Sequence, residues 1–260
     1  LKHLFAGAEG TLGLITAATL KLFPQVQRAS AWVCCDSTED VVALLALVRK
    51  YAGDTVTSFE IIPAGAIDMV MADIPGTRDP LPSTLPWRVL MEVSMVEQDL
   101  VKDGVVAASK AQAQSFWHIR ETIPLSKRAY GTAINQDIAV PVSRIPAFID
   151  SCNAAVLDLV PSAEFVIFGH VGDGNLHYSV CEPSDAAAPV LQAHVADITR
   201  VVFDQTMAHG GSISAEHGVG RLKRDELARL RPPAATDAMR AIKLALDPLG
   251  IMNPGRVVSV

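Results

Sequence analysis

Hydrophobic residues recur along this chain with two different periods. Segments in which every second residue is hydrophobic are typical of strands, and segments with hydrophobic residues three and four positions apart are typical of helices. Ser37 or Thr38 is expected to cap the first helix, and Pro124 is expected to kink or break the helix that contains it. The pattern predicts strands at 14–22, 31–35, 56–62, 87–96, 104–108, 134–140, 165–170 and 177–181, and helices at 38–51, 64–73, 109–130, 145–159, 186–209 and 234–246.

The order of these elements predicts the fold class. Several strands follow one another directly along the chain, which favours an α+β fold over a purely parallel α/β sheet. We therefore expect an antiparallel sheet that carries helices on one face. The segment 87–96 is a candidate edge strand, and an edge strand is open to pairing with a second copy of the chain. A homodimer is thus one expectation.

Composition narrows the class of protein further. Half of the 260 residues are hydrophobic, but the longest apolar runs fall short of the roughly 20 residues that a membrane-spanning helix needs. The net charge is −6 and no segment concentrates Lys and Arg, which argues against nucleic-acid binding. The four cysteines lack metal-site or disulfide spacing, so we expect buried, reduced thiols and a cytoplasmic location. The chain begins in the middle of a pattern, and we expect it to be a fragment.

Two histidines flank a glycine-rich turn in "FGHVGDGNLHYSV", residues 168–180. If the flanking strands form a hairpin, His170 and His177 are expected directly opposite each other, with Cβ atoms about 5 Å apart. Imidazoles at that separation can bind one transition-metal ion. Paired histidines can equally form ordinary hydrogen bonds, so the spacing alone leaves both interpretations open.

A second polar cluster lies in "SAEHGVGR", residues 214–221. Two histidines and Glu216 would make a three-ligand set with an open coordination position, which is the pattern of a catalytic metal site. His217, beside the ligand, could then act as a general base. The alternative is an exposed loop that carries a solvated acid and a solvated histidine.

Four motifs resemble a known family. The segments "GAEGTLGLITAATLKL", "GHVGDGNLH", "AEHGVGRLKRDEL" and "LDPLGIMNPGRVV" are together similar to the C-terminal part of FAD-linked oxidases of the vanillyl-alcohol-oxidase type, and within them to the D-2-hydroxy acid dehydrogenases acting on D-lactate, D-2-hydroxyglutarate or glycolate. The resemblance implies that residues 1–23 are the last strand and loop of an FAD-binding domain. It implies that residues 24–260 are the substrate- and metal-binding domain, with a ferredoxin-like antiparallel sheet.

The resemblance also implies roles for individual residues. His170, His177 and Glu216 match the ligands of a divalent metal, usually zinc or manganese, and His217 matches the catalytic base. Arg120 in "FWHIRE" matches an arginine that binds a substrate carboxylate, a task that suits the planar guanidinium. The flavin-lining residues implied by the resemblance are Glu9, Gly10, Thr11, Leu12, Gly13 and Asn253. Without the family, Arg120 could equally pair with Glu121 or Glu97.

The reaction that follows from the resemblance is oxidation of a D-2-hydroxy acid to a 2-oxo acid by hydride transfer to FAD, with a metal ion holding the substrate. FAD binding is expected to need the N-terminal half that this chain lacks. The expected electron acceptor is a quinone, a cytochrome or an electron-transfer flavoprotein. The protein is expected in the cytoplasm, with peripheral attachment to the inner membrane as an alternative. Two alternatives are a non-catalytic metal-binding or oligomerisation module and a zinc hydrolase built on the same three ligands.

Three positions depart from the family pattern. Asn135 stands where many relatives have a lysine, and Pro124 where some have a threonine. Ser179 stands where relatives that prefer larger diacids have an asparagine. We expect Asn135 and Ser179 to line the substrate site. Loss of the lysine puts a dicarboxylate substrate in doubt and leaves a smaller or unknown 2-hydroxy acid open. A fourth departure is the short segment 97–103, where relatives have a helix.

Overall fold

The computed structural model describes residues 2–22, 28–94, 104–127, 133–182 and 190–260. The chain divides into two compact units. One unit, here called the terminal unit, consists of Leu1–Pro24 and Ile213–Val260. The other, here called the sheet unit, consists of Gln25–Ser212. Among the helices described, none is long and apolar enough to cross a bilayer.

The sheet unit is built on an antiparallel sheet. Its strands in the described residues are β1 (Arg28–Cys35), β2 (Val56–Pro63), β3 (Trp87–Ser94), β4 (Gly104–Val106), β5 (Ala133–Ala139), β6 (Glu164–His170) and β7 (Asn175–Cys181). They lie in the order β4-β1-β3-β2-β6-β7-β5, and neighbouring strands are antiparallel. The predicted α+β class with an antiparallel sheet is therefore confirmed. The predicted edge strand is wrong, because β3 lies between β1 and β2 with both of its edges paired.

Helices cover both faces of this sheet, whereas the sequence predicted one covered face. The helices in the described residues are α1 (Lys2–Phe5), α2 (Thr38–Ala52), α3 (Ala64–Asp73), α4 (Lys110–Ser126), α5 (Ile145–Leu159), α6 (Val195–Ala208), α7 (Arg224–Leu230) and α8 (Pro233–Leu246), of which α2 to α6 belong to the sheet unit. Ile67 of α3 and Phe116 of α4 join Phe168 of β6 in one buried cluster. On the opposite face, Phe148 of α5 contacts Tyr178 of β7 edge to face. Successive strand residues point to opposite faces, so the central strands are buried on both.

Local sequence signals account for the helix ends. The Ser37 hydroxyl accepts a hydrogen bond from the Asp40 N–H at 3.1 Å and caps α2, as predicted. Ser109 caps α4 in the same way. The predicted break at Pro124 does not occur, because α4 continues through it to Ser126. Proline near the end of a helix removes only one of the last hydrogen bonds, which makes it tolerable there.

The terminal unit contains α1, α7 and α8 and a long irregular segment. Residues 13–22, predicted as a strand from 14, have no regular structure. Leu14, Leu20 and Leu22 are 80%, 77% and 88% exposed. In the described part of the chain no strand pairs with this segment, and an alternating pattern forms a stable strand only when its backbone groups find a partner. Helix α7 was not predicted at all.

Some predicted ends lie outside the described residues. These are the end of the fourth predicted strand at Val96, the short segment 97–103, the end of the third predicted helix at Tyr130 and the start of the predicted long helix at Ala186. Helix α6 is described from Val195 and follows a 3₁₀ turn, Leu191–His194.

Candidate metal and substrate site

His170 and His177 lie on the same face of the hairpin formed by β6 and β7. The register pairs Phe168 with His177, so His170 is diagonal to His177 and the predicted direct opposition is wrong. The centre of the turn lies one residue earlier in the sequence than in the predicted pairing of His170 with His177, and residues 171–173 form a 3₁₀ turn there. The two imidazole centroids are nevertheless 5.6 Å apart, at an interplanar angle of 79°. The predicted proximity is therefore confirmed.

One glycine makes this turn possible. Gly174 has φ +73°, and a Cβ at this position would overlap the carbonyl oxygen of Val140. Only glycine avoids both the left-handed strain and this overlap.

The neighbouring strand β2 supplies a carboxylate to His170. Glu60 is the cross-strand partner of His170, and its Oε1 lies 2.6 Å from Nδ1 of the imidazole. A carboxylate that accepts the Nδ1 proton leaves the Nε2 lone pair available to a ligand. Burial raises the pKa of Glu60, but the hydrogen bond with His170 and the charge of Arg120 outweigh it and hold that pKa below its ordinary value. Sequence reasoning missed Glu60, since it lies 110 residues before His170.

Arg120 on α4 completes this polar group. Its Nε donates to Oε2 of Glu60 at 3.0 Å, and its Nη2 lies 3.5 Å from Nε2 of His170. Arg120 is only 8% exposed. Its described ion-pair partner is thus Glu60 and not Glu121, while Glu97 lies outside the described residues. The structure therefore brings the predicted carboxylate-binding arginine to one of the predicted metal ligands.

The second histidine has its own acidic neighbour. Asp137 of β5 is the cross-strand partner of His177, with Oδ1 at 4.0 Å from Nδ1 of the imidazole. Asn175 donates to the same Oδ1 at 2.9 Å and holds the carboxylate in place. A histidine that binds a metal through one ring nitrogen usually has a carboxylate, carbonyl or water near the other ring nitrogen. The described residues around both histidines thus fit a divalent metal ion.

Asn135 and Ser179 lie side by side, and a lysine contacts both. They are cross-strand partners on β5 and β7, and the Ser179 hydroxyl donates to Oδ1 of Asn135 at 2.9 Å. The Nζ of Lys127 is 2.7 Å from Oδ1 of Asn135 and 2.7 Å from Oγ of Ser179. Burial lowers the pKa of Lys127. Sequence reasoning missed this lysine, which lies beyond the last turn of α4.

Within the terminal unit, Glu9 joins the predicted flavin segment to the loop that carries Glu216 and His217. Its Oε1 accepts from the Val219 N–H at 2.6 Å, and its Oε2 accepts from the Gly220 N–H at 2.8 Å. We call this arrangement the Glu9 clasp. Both Glu216 and His217 are exposed. Their predicted roles stay predictions.

Asn253 contacts the same segment. Its Nδ2 donates to the Glu9 carbonyl at 2.6 Å, and both residues have positive φ, +45° and +53°. Nδ2 of Asn253 is so close to Gly10 that a Cβ there would lie 2.8 Å from it. Thr11 is buried, and Leu12 and Gly13 continue the same loop. The structure therefore brings together the predicted flavin-lining residues from both ends of the sequence.

A buried lysine also holds these ends. The Nζ of Lys243 donates to the carbonyl oxygens of Thr11 at 2.8 Å and Met252 at 2.6 Å, and it forms an ion pair with Asp247. The Lys243 hydrogen bond is the main cause that lowers the pKa of Asp247. Sequence reasoning missed this lysine too.

Curated relatives align with almost the whole length of this chain. D-2-hydroxyglutarate dehydrogenase from Stutzerimonas stutzeri (strain A1501) is 35% identical over 276 residues, which cover 99% of this chain and 58% of that protein. The mitochondrial D-2-hydroxyglutarate dehydrogenase of Arabidopsis thaliana is 32% identical over 276 residues, with 99% and 48% covered. This chain therefore spans about half the length of these relatives.

Solved structures with low sequence identity share the fold. 4-Ethylphenol oxidase from Gulosibacter chungangensis superposes with a TM-score of 0.59 at 12% identity, over 89% of this chain and 54% of that one. Alkyldihydroxyacetonephosphate synthase superposes with a TM-score of 0.53 at 13% identity, over 97% and 50%. Residues 24–257 match the family described as FAD linked oxidases, C-terminal domain, which confirms the resemblance seen in the motifs. The chain belongs to this family.

Proposed function

We propose that this chain is the substrate- and metal-binding part of a flavin-dependent dehydrogenase that oxidises a D-2-hydroxy acid to a 2-oxo acid. The observation that carries this proposal is the arrangement around His170. The Glu60 carboxylate bonds to Nδ1 of the imidazole, and Nη2 of Arg120 lies 3.5 Å from Nε2. The proposed metal ligand and the proposed carboxylate-binding group are neighbours, which suits the adjacent hydroxyl and carboxylate of a 2-hydroxy acid. Relatives named D-2-hydroxyglutarate dehydrogenase support the reaction class.

In this proposal, His170, His177 and Glu216 are the ligands of a divalent ion, zinc or manganese. Two imidazole nitrogens and one carboxylate oxygen form a donor set that leaves room for substrate. When bound, the ion would act as a Lewis acid on the substrate hydroxyl, and FAD would accept the hydride. His217 would take the hydroxyl proton as general base.

The other residues position these groups. Glu60 fixes the tautomer of His170 so that Nε2 carries the lone pair. The same carboxylate anchors Arg120 through Nε, which leaves the terminal nitrogens of the guanidinium to bind a substrate carboxylate. Because the Glu60 side chain that makes both contacts is only 2% exposed, it holds Arg120 and His170 in place before the substrate arrives.

The flavin-facing part of the proposal rests on the terminal unit. We propose that the loop containing Glu9, Gly10, Thr11, Leu12 and Gly13, together with Asn253, lines the flavin. Residues 1–23 would then be the end of an FAD-binding domain and residues 24–260 the substrate domain. FAD binding would need the part of the longer relatives that this chain does not span. The electron acceptor, a homodimer and the compartment stay predictions.

The first experiment measures metal content in protein purified without chelator. We expect near-stoichiometric zinc or manganese in the wild type and loss of the ion in His177→Ala. His118→Ala, which changes an exposed histidine on α4, is the matched control and should keep the ion. Absence of metal from the wild type after incubation with excess zinc and manganese would contradict the ligand assignment.

A second experiment tests the reaction itself. The chain is joined to an FAD-binding half, loaded with flavin and mixed anaerobically with D-2-hydroxy acids, and flavin absorbance is followed. Bleaching of the flavin, lost in His217→Ala, supports the dehydrogenase. An oxidised flavin with every acid tested favours the non-catalytic module, and hydrolysis of an ester by the metal-loaded protein favours the zinc hydrolase.

A further inference from the structure

We propose that Lys127 is a substrate-binding residue that recognises a second carboxylate, at the end of the 2-hydroxy acid remote from its hydroxyl group. This inference rests on the proposed function and specifies the substrate class of the same site. It assigns a dicarboxylate to a chain in which Asn135 had put a dicarboxylate in doubt.

The position of the ammonium is fixed by neutral groups. Lys127, Asn135 and Ser179 form a closed triangle of hydrogen bonds, with distances of 2.7, 2.7 and 2.9 Å. Two of the three N–H bonds of the ammonium are used in this triangle. Because strands β5 and β7 hold the two acceptors in register, the ammonium is held in one place.

The charge of this ammonium has no anionic partner in the described residues. Lys127 is only 8% exposed, and its described contacts are an amide oxygen, a hydroxyl and the ring of Phe168. The neighbouring Cys181 thiol does not supply an anion near neutral pH, because burial raises its pKa to about 11. Buried cations in proteins are normally paired with an anion. Other buried cations described here follow that rule, since Arg120 pairs with Glu60 and Lys243 with Asp247.

The ring of Phe168 places this cation beside the candidate site. The Nζ of Lys127 lies 5.3 Å from the ring centroid, and Cζ of Arg120 lies 4.8 Å from the same centroid. The His177 imidazole is 4.9 Å from it, measured between centroids. Three groups that can bind a substrate thus surround one aromatic side chain. Ser179 is two residues beyond His177 on the same face of β7, about 7 Å along the strand.

A single dicarboxylate can therefore pair with both cations beside the Phe168 ring, Arg120 and Lys127. The carboxylate next to the hydroxyl would bind Arg120, and the remote carboxylate would accept the third N–H of Lys127 and neutralise its charge. A monocarboxylate of equal length would leave the ammonium unpaired, which disfavours its binding.

The test compares two acids of the same chain length, D-2-hydroxyglutarate and D-2-hydroxyvalerate, as substrates of the chain joined to an FAD-binding half and loaded with flavin. The variants are Lys127→Met, Lys127→Arg and, as a control, Lys50→Met at an exposed lysine of α2. In Lys127→Met we expect kcat/KM for hydroxyglutarate to fall about 100-fold, mainly through KM, and kcat/KM for hydroxyvalerate to change less than about threefold. Lys127→Arg should recover part of the loss, and Lys50→Met should match the wild type.

A binding measurement separates this inference from the proposed reaction. Calorimetric titration with glutarate and with valerate, neither of which can be oxidised at a hydroxyl group, needs no turnover. If the wild type binds glutarate through Lys127 but oxidises neither acid, the proposed reaction fails and the assignment of Lys127 stands. Equal losses for both acids in a folded Lys127→Met variant, or an unchanged preference for the dicarboxylate, would overturn the assignment.

Discussion

The sheet unit and the terminal unit both bury charged side chains, but they use them differently. In the sheet unit, Glu60 and Arg120 bond to each other and to His170. In the terminal unit, Glu9 accepts hydrogen bonds from backbone N–H groups of a loop, and Lys243 donates two of its hydrogen bonds to backbone carbonyls. In the sheet unit the buried charges therefore hold other side chains in position, whereas in the terminal unit they hold backbone segments in position.

This difference indicates which charges are available to a ligand. A carboxylate such as Glu9, bonded to two N–H groups of a loop, serves to fix that loop. Strands already have their backbone groups paired, so side chains on a sheet are left to interact with each other or with a substrate. The candidate binding groups of the sheet unit accordingly lie on strands, on α4 or just beyond its end, while the candidate groups of the terminal unit lie in loops whose backbone is held in defined conformations.

The largest effect is expected from Glu60→Gln. This change leaves the buried Arg120 without its counter-ion, which should lower the free energy of unfolding by about 3 kcal/mol. It also weakens the support of His170, so zinc affinity should fall by about 10- to 100-fold. Urea unfolding and zinc titration measure the two effects. Glu164→Gln, at the exposed start of β6, is the control, and equal stability of the two variants would contradict the central role of Glu60.

A smaller effect is expected from Gly218→Ala in the terminal unit. Gly218 has φ +79°, and a Cβ there would lie 2.6 Å from Oε1 of Glu9. Left-handed strain and disruption of the Glu9 clasp together should cost about 2 kcal/mol in the free energy of unfolding. Gly250→Ala, at φ +63° with no atom within 4 Å of a Cβ, isolates the strain alone and should cost about 1 kcal/mol. Identical losses would mean that the clasp contributes nothing.

Glu9→Gln applies to the loop the same chemical change that Glu60→Gln applies to the sheet. The amide keeps one acceptor for the loop and turns an NH₂ group toward the other N–H. We expect a loss of about 1 kcal/mol, since no buried charge is left unpaired. If chemical denaturation shows a loss as large as that of Glu60→Gln, the distinction between the two regions does not hold.

The smallest effect is the acid dependence that Glu60 contributes. Its pKa in the folded protein lies below the ordinary value, so its stabilising contribution is fully present above about pH 5. As pH falls, the carboxyl group binds a proton first in the unfolded state, at its ordinary pKa. The stabilising contribution then declines and is lost once the pH has fallen through the lower pKa of the folded state. The difference in unfolding free energy between wild type and Glu60→Gln should therefore narrow from pH 5 to pH 3. A constant difference over this range would contradict the lowered pKa.

Periodicity predicted the long elements well. The predicted bounds of α3 and α5 match the structure, because their hydrophobic residues recur with helical spacing and proline lies at or next to each start. The hydrophobic pattern gave a wrong prediction where a strand would have needed a neighbouring strand to pair with. Residues 14–22 alternate like a strand, yet no strand in the described part of the chain pairs with them. Helix α7 has seven residues and is too short for a clear period.

The sequence by itself determined the antiparallel α+β class, the family and the histidine pair, because these depend on local periods and on motifs that are contiguous in the chain. Only the tertiary structure decided the register of the hairpin and the partners of the charged groups. Glu60 reaches His170, and Lys127 reaches Ser179, across 110 and 52 residues of sequence. A buried charge is stabilised by whatever group lies beside it in space, and strand order and register, which no single segment encodes, decide which group that is.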